Sequence, residues 1–198
     1  MSPETVSPLV LFALVSSVTP GGATTLATAS GAHFGFRRSI PLMGGIAAGL
    51  ASMAAAAAAG LAGVLEAMPS LQLVMKGAGS AYLLWLAWKV GRAGPPRLDA
   101  ELAQPTSFVG GVWLLWVNPK AWAMTLGAAA SFAALASGPA QLSVLLAFAF
   151  GFAATVSVSL WCTAGTVMAR LIRTEAQWRA VNMMLGVSLA LSIVPMWL

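Results

Sequence analysis

Two tripeptides hold the residue types best suited to chemistry in this chain, Thr19-Pro20-Gly21 and Asn118-Pro119-Lys120. Proline removes a backbone donor and clashes with the preceding helical turn. It nevertheless suits the first position of a helix when Thr or Asn precedes it as N-cap. Each tripeptide therefore predicts a helix that breaks and restarts at its proline. A restarted helix presents free N–H groups and the positive end of its dipole, an arrangement that holds anions. Lys120 adds a full positive charge. The expected chemistry is recognition of a small anionic group such as a carboxylate. The candidate substrate-binding residues are Thr19, Pro20, Gly21, Asn118, Pro119 and Lys120. The other reading makes the prolines structural kinks and Lys120 a lysine satisfied by carbonyls of the broken helix.

The rest of the chain offers little for catalysis. His33 and Cys162 are the single His and the single Cys. Far apart, they supply neither a nucleophile–base pair nor a metal set. No enzyme, metal or cofactor is expected, and Cys162, inside an apolar stretch, reads as packing. A substrate ammonium would rely on backbone carbonyls and on hydroxyls such as Thr19, Thr24, Thr25 and Thr125, since no Asp or Glu lies deep in an apolar stretch. Strongly cationic substrates are thereby disfavoured.

The elements that must position these residues follow from composition. Of 198 residues, 59% are hydrophobic and 8% charged, with mean hydropathy +0.87. A soluble domain carries about a quarter charged residues, so a soluble enzyme, a nucleic-acid module and a disordered chain are excluded. Twenty glycines without a period and one cysteine exclude collagen and a disulfide scaffold. What remains is an all-α integral membrane protein. The net charge of +5 reflects basic loops rather than nucleic-acid binding.

Six stretches are long enough to span a bilayer: 5–30, 39–65, 69–90, 108–134, 140–169 and 178–197. They form a single transmembrane domain over 1–198. Met1-Ser-Pro-Glu4 lacks a basic n-region, so a cleaved leader is not expected. Basic residues fall in the odd connections: Arg37 and Arg38; Lys89, Arg92 and Arg97; Arg170, Arg173 and Arg179. Those connections face the cytoplasm and both termini the periplasm. Trp88, Trp113, Trp178 and Trp197 fit an interfacial belt, and His33 sits beside the first loop. Glu66 reads as a solvated loop residue and Lys76 as a snorkelling anchor. Small residues in span two, including Gly45-Ile-Ala-Ala-Gly49 and Ala54 to Ala59, allow close helix packing within the chain or across a dimer.

Pro20 and Pro119 lie 99 residues apart, half the chain. Met75, Gly77, Ala81 and Trp88 echo Met184, Gly186, Ala190 and Trp197 at an offset of 109. The pattern predicts two inverted three-helix repeats, 1–91 and 108–198, joined by a cytoplasmic loop at 92–107, with helices 1 and 4 broken at Pro20 and Pro119. That is a plan of secondary transporters. Pro119 is 11 residues past Phe108, about 17 Å along a helix and near the bilayer midplane. Non-helical backbone at that depth is tolerated only where it is buried or lines a cavity.

Along nearly its whole length the chain resembles the LysE/RhtB family of bacterial amino-acid exporters. The resemblance rests on Thr19-Pro20-Gly21; on Gly31, Gly35 and Arg37-Arg38; and on Gly44 and Gly49. It continues through Lys76-Gly77-Ala78 with Tyr82-Leu83-Leu84-Trp85, then Gly110 and Asn118-Pro119-Lys120. It implies an inner-membrane homodimer that exports amino acids or relatives such as homoserine, homoserine lactone or threonine, driven by the proton-motive force. Where the family usually continues with Pro and then Asp or Asn, this chain has Gly22 and Ala23. Two other classes stand beside the exporter: a channel or other non-exporting membrane protein, and an intramembrane enzyme.

Overall fold

The structure, a computed structural model, describes residues 3–61, 69–92, 105–172, 174–191 and 193–194. Glu66, Arg97, Arg173 and Trp197 lie outside the described residues, and of Lys76 only the helical backbone is described. The described elements are helical, with no strand among them. They are α1 (Pro3–Val18), α2 (Gly22–Ala56) with a π-helical turn (Ala57–Leu61), α3 (Pro69–Gly91) and α4 (Phe108–Trp116). There follow α5 (Pro119–Ser131) with a 3-10 turn (Ala133–Leu135), α6 (Pro139–Leu171) and α7 (Glu175–Leu191).

Apolar side chains cover the outside as well as the inside. Phe148, Phe152, Val109 and Leu11 are all exposed, which suits a surface solvated by lipid rather than water. Helix α6 has a mean hydropathy of 2.0 over its most apolar stretch, and its 33 residues are enough to cross a bilayer.

Helix α2 is two arms, 22–34 and 36–56, that meet at Gly35. In a straight helix, residues nine apart are separated by about 13.5 Å. The Ser30 and Ser39 hydroxyls are nine apart and hydrogen-bond at 2.7 Å. The chain therefore turns back at Gly35, whose φ 77° and ψ 169° are a backbone conformation that L residues rarely adopt. The sequence predicts a loop over 31–38; a single glycine makes the turn instead. Helix continues on both sides because Ser39 also donates to the Gly35 carbonyl at 2.8 Å, pinning the corner from within.

Small residues bring the backbones together. A methyl group on Gly31 would overlap the Cys162 carbonyl, and one on Gly165 the Thr28 carbonyl, so the first arm of α2 crosses α6 at backbone contact. Gly45 meets Phe108 and Gly111 meets Leu42 in the same way, seating the second arm of α2 on α4. The small residues of span two are used within the chain. Lipid offers no hydrophobic drive for helix association, so this close approach supplies packing energy instead.

The contacts also set helix directions. The second arm of α2 runs with α4, since Gly45 lies by Phe108, Gly49 by Val112, and Trp116 Nε1 donates to Ser52 at 3.1 Å. It runs against α6, since Gly151 lies by Ala51 and Ser143 donates to the Ala55 carbonyl at 3.0 Å. Helices α3 and α7 are antiparallel, with Gly186 on Ala87 and Gly91. His33 Nε2 and Asn182 Oδ1 lie 3.1 Å apart, and Thr166 donates to the Gly31 carbonyl at 3.3 Å. The Gly35 corner, the end of α3 and the end of α6 thus gather at one end of the bundle, carrying Arg37, Arg38, Arg92 and Arg170.

Two expectations at that end change. Trp178 is buried, its ring 5.6 Å from the His33 ring, so it is a packing residue and not part of an interfacial belt. His33 is half-buried and bonded to Asn182. An inward-facing Trp–His–Asn contact outcompetes the interface for both. Trp88 and Trp113 remain exposed.

Candidate functional site

The site begins where α1 ends. Pro20 has no N–H to return to the Ser16 carbonyl, so the helical ladder stops there. Thr19 closes it, giving its N–H to the Val15 carbonyl at 3.1 Å and its hydroxyl to the same oxygen at 2.7 Å. Distant side chains reach the next carbonyls. Ser157 donates to Ser17 O at 2.7 Å, and Trp161 Nε1 to Val18 O at 3.0 Å. Lys120 Nζ donates to Thr19 O at 2.7 Å and to Pro20 O at 3.4 Å. A cation at a helix C-terminus is favoured by the dipole as well as by the hydrogen bonds.

The chain resumes as helix at Gly22, not at Pro20. Gly21 is extended (φ −178°, ψ −173°). Its N–H donates to Thr24 Oγ1 at 2.8 Å, and that hydroxyl donates to the Gly21 carbonyl at 2.9 Å. Thr24 therefore organises the start of α2. Thr19, expected as its N-cap, has its hydroxyl turned back onto α1. The reason is local: a helical Thr readily bonds the carbonyl four residues before it.

The second start lies at Asn118-Pro119. Asn118 is the N-cap of α5, its Oδ1 accepting from Lys120 N at 3.0 Å, with Pro119 in the first turn. Trp122 Nε1 donates to the Trp116 carbonyl at 2.8 Å across the break, and the two indoles meet edge-on with centroids 5.5 Å apart.

The two starts face one cavity of about 40 Å³, room for a few waters or one small polar group and well below the usual size of a whole-ligand pocket. Thr19, Gly21, Asn118 and Lys120 line it, and Pro20 and Pro119 sit at the helix ends beside it. The leading amides of Gly22, Ala23 and Ala121 belong to cavity-lining residues and have no intrahelical acceptor. Among the described residues that line it, none is Asp or Glu.

The lysine differs from a free cation awaiting an anion: its ammonium is held by the carbonyls of the broken helix. An ammonium has three N–H groups, so two carbonyl contacts leave one donor for a ligand. Gly21 makes this path open. A Cβ there would lie 3.3 Å from Lys120 Cδ and 3.4 Å from Nζ, pressing on the stem.

Among the expected hydroxyls, Thr125 is fully buried and donates to the Ala121 carbonyl at 2.9 Å, and Thr25 is not in the cavity wall. Sequence reasoning missed Ser16, Ser17 and Ser157, all of which line the cavity, and Trp161. A signal existed for the first two, since they stand four and three residues before Pro20. Ser157 and Trp161 have none, because their role depends on α6 lying beside α1.

A family model described as LysE type translocator matches residues 14–192. The chain is also similar to proteins named cysteine/O-acetylserine efflux protein. Those of Escherichia coli (strain K12) and Shigella sonnei (strain Ss046) are each 28% identical over 189 residues, covering 96% of this chain and 95% of theirs. That of Escherichia coli O1:K1 / APEC is 27% identical with the same coverage. No solved structure matches.

Proposed function

Because the chain belongs to the LysE type translocators, it is a membrane transporter and not an enzyme, and we propose that it exports small neutral amino acids through the cavity between the two helix breaks. The observation that carries this reading is the meeting of Lys120 with the Thr19-Pro20 break, beside two helix N-termini. A carboxylate suits the unbonded amides and the remaining ammonium donor. With no acidic residue among the described residues of the wall, a second positive charge on the substrate has no partner there. The candidates are homoserine-like and threonine-like amino acids and, from the names of the similar proteins, cysteine and O-acetylserine.

The proposal includes six spans in two inverted repeats, both termini periplasmic, and the basic end of the bundle in the cytoplasm. Its supports are the antiparallel runs of α2 against α6 and of α3 against α7, and the gathering of Arg37, Arg38, Arg92 and Arg170 at one end. It further includes a homodimer in lipid and coupling to the proton-motive force. Among the described residues lining the cavity, Lys120 is the titratable one, and so the first place to look for a coupled proton.

Counterflow in proteoliposomes tests the transport reading. Vesicles loaded with unlabelled O-acetyl-L-serine, L-cysteine, L-threonine or L-homoserine should accumulate the labelled compound transiently, and an imposed proton gradient should accelerate it. Flux that equilibrates without overshoot would favour a channel.

A further inference from the structure

Among the described residues, Ser17 Oγ is the buried side-chain oxygen that lacks a hydrogen-bond partner. Its neighbours all have one. Ser16 donates to the Phe12 carbonyl at 2.6 Å, Thr19 to Val15, Thr24 to Gly21 and Ser157 to the Ser17 carbonyl. Two residues of one helical turn explain the exception. Ser16 Oγ also reaches the Ala13 carbonyl at 3.3 Å, the oxygen to which Ser17 would turn back. A buried hydroxyl left unpaired is costly, and this one belongs to a residue in the wall of the cavity.

The position of Ser17 in that wall is also distinctive. It sits in the last turn of α1, the negative end of that helix. One residue earlier, the Ser16 carbonyl is left without its helical donor by Pro20. The leading amides of Gly22, Ala23 and Ala121 belong to residues of the same wall, and the Lys120 ammonium lies on the carbonyls of Thr19 and Pro20. The broken helix therefore offers one cavity both donors, at the restarts, and acceptors that Lys120 does not occupy, in the last turn of α1.

We infer that Ser17 Oγ, with the adjoining Ser16 carbonyl, is the subsite for the ammonium group of a zwitterionic substrate. The inference rests on the transport reading above and adds the residue that requires an amino group. A hydroxyl oxygen and a carbonyl oxygen accept two of the three ammonium N–H bonds without a formal counter-charge. A net-neutral amino acid is then preferred over its deaminated analogue, and an unpaired hydroxyl is retained because the ligand completes it.

The test is equilibrium binding of O-acetyl-L-serine and of 3-acetoxypropanoate, which keeps the carboxylate and ester but has hydrogen in place of the ammonium. Both are titrated against purified full-length wild type, Ser17→Ala and Ser17→Thr, with the melting temperature of each ligand-free protein. The wild type should prefer the amino compound. Ser17→Ala should lose about tenfold or more in affinity for O-acetyl-L-serine, the size of a charge-assisted hydrogen bond. Its affinity for 3-acetoxypropanoate should not change, and its melting temperature should not fall. Ser17→Thr, which keeps the hydroxyl, should retain the preference. Equal losses for both ligands, no loss for either, or unfolding of Ser17→Ala would overturn the subsite while leaving the transport reading in place. A wild type that binds neither O-acetyl-L-serine nor L-cysteine, L-threonine or L-homoserine would overturn the transport reading and the subsite with it.

Discussion

Lys120 Nζ lies 2.7 Å from the carbonyl oxygen of Thr19, 101 residues away in the chain. One break thus caps the other: the first turn of α5 supplies the cation that satisfies the end of α1. The same ammonium holds two helix ends together and faces the cavity between them. In the proposed transport reading, a substrate carboxylate that drew the ammonium away would loosen the end of α1.

Lys120→Met should separate these roles. It keeps a stem across Gly21 and removes the charge. Efflux from substrate-loaded cells, normalised to membrane protein level, should fall by about 10- to 150-fold, the range for one charge-assisted hydrogen bond. The ligand-free protein should also melt earlier, since a helix cap is lost. Lys120→Arg should not restore efflux, because a planar fork does not replace a point charge. Near-normal efflux with a lowered melting temperature would leave Lys120 a cap alone.

Gly31→Ala and Gly165→Ala should each destabilise the protein, by about 1–3 kcal/mol or more as in overpacked cores. In both, the new methyl meets a backbone carbonyl that cannot move aside. Gly127→Ala is the contrast: nothing lies within 4 Å of a Cβ there. Alanine is favoured over glycine in a helix by about 1 kcal/mol, so this variant should be neutral or stabilising. Thermal unfolding in detergent ranks the three, and equal melting temperatures would contradict the packing.

Gly35→Ala should cost about 1–3 kcal/mol although its Cβ would meet nothing within 4 Å, because the penalty is conformational. It should also strain the Ser30–Ser39 contact that holds the corner. Ser30→Ala should weaken the corner by less, since it removes one hydrogen bond and leaves φ unchanged. If Gly35→Ala melts with the wild type, the corner does not need a positive φ.

Reporter fusions after Arg37 and Arg97 should be cytoplasmic, and fusions in the connection between α5 and α6, near Ser137, periplasmic. Like signals from Arg37 and Ser137 would reject the proposed topology, because the second arm of α2 and the α4–α5 pair both separate the two ends of the bundle.

Much of this protein was written locally. The surplus of apolar residues determined a helical membrane protein, because few polar groups are available to face water. Asn118-Pro119 determined the start of α5, since a capping amide and a preset φ act within one turn. Thr19-Pro20 marked the end of α1 for the same reason, a missing N–H. Where the next helix resumed was not legible. Gly22 follows from how Thr24 closes on Gly21, a choice among hydroxyls whose own-helix bonds compete. The corner at Gly35 was hidden too, because many glycines read alike and only one had to reverse the chain. What only the tertiary structure decided is which groups meet across the bundle. Ser157 and Trp161 reach the end of α1 because Gly31 and Gly165 seat α6 at backbone contact on the first arm of α2, beside that end. Lys120 finds the carbonyls of Thr19 and Pro20 because the two breaks lie at one depth. Ser17 is left unpaired because its neighbour competes for the nearest acceptor. Such relations depend on distances between helices, and residue type and spacing along one helix carry no measure of them.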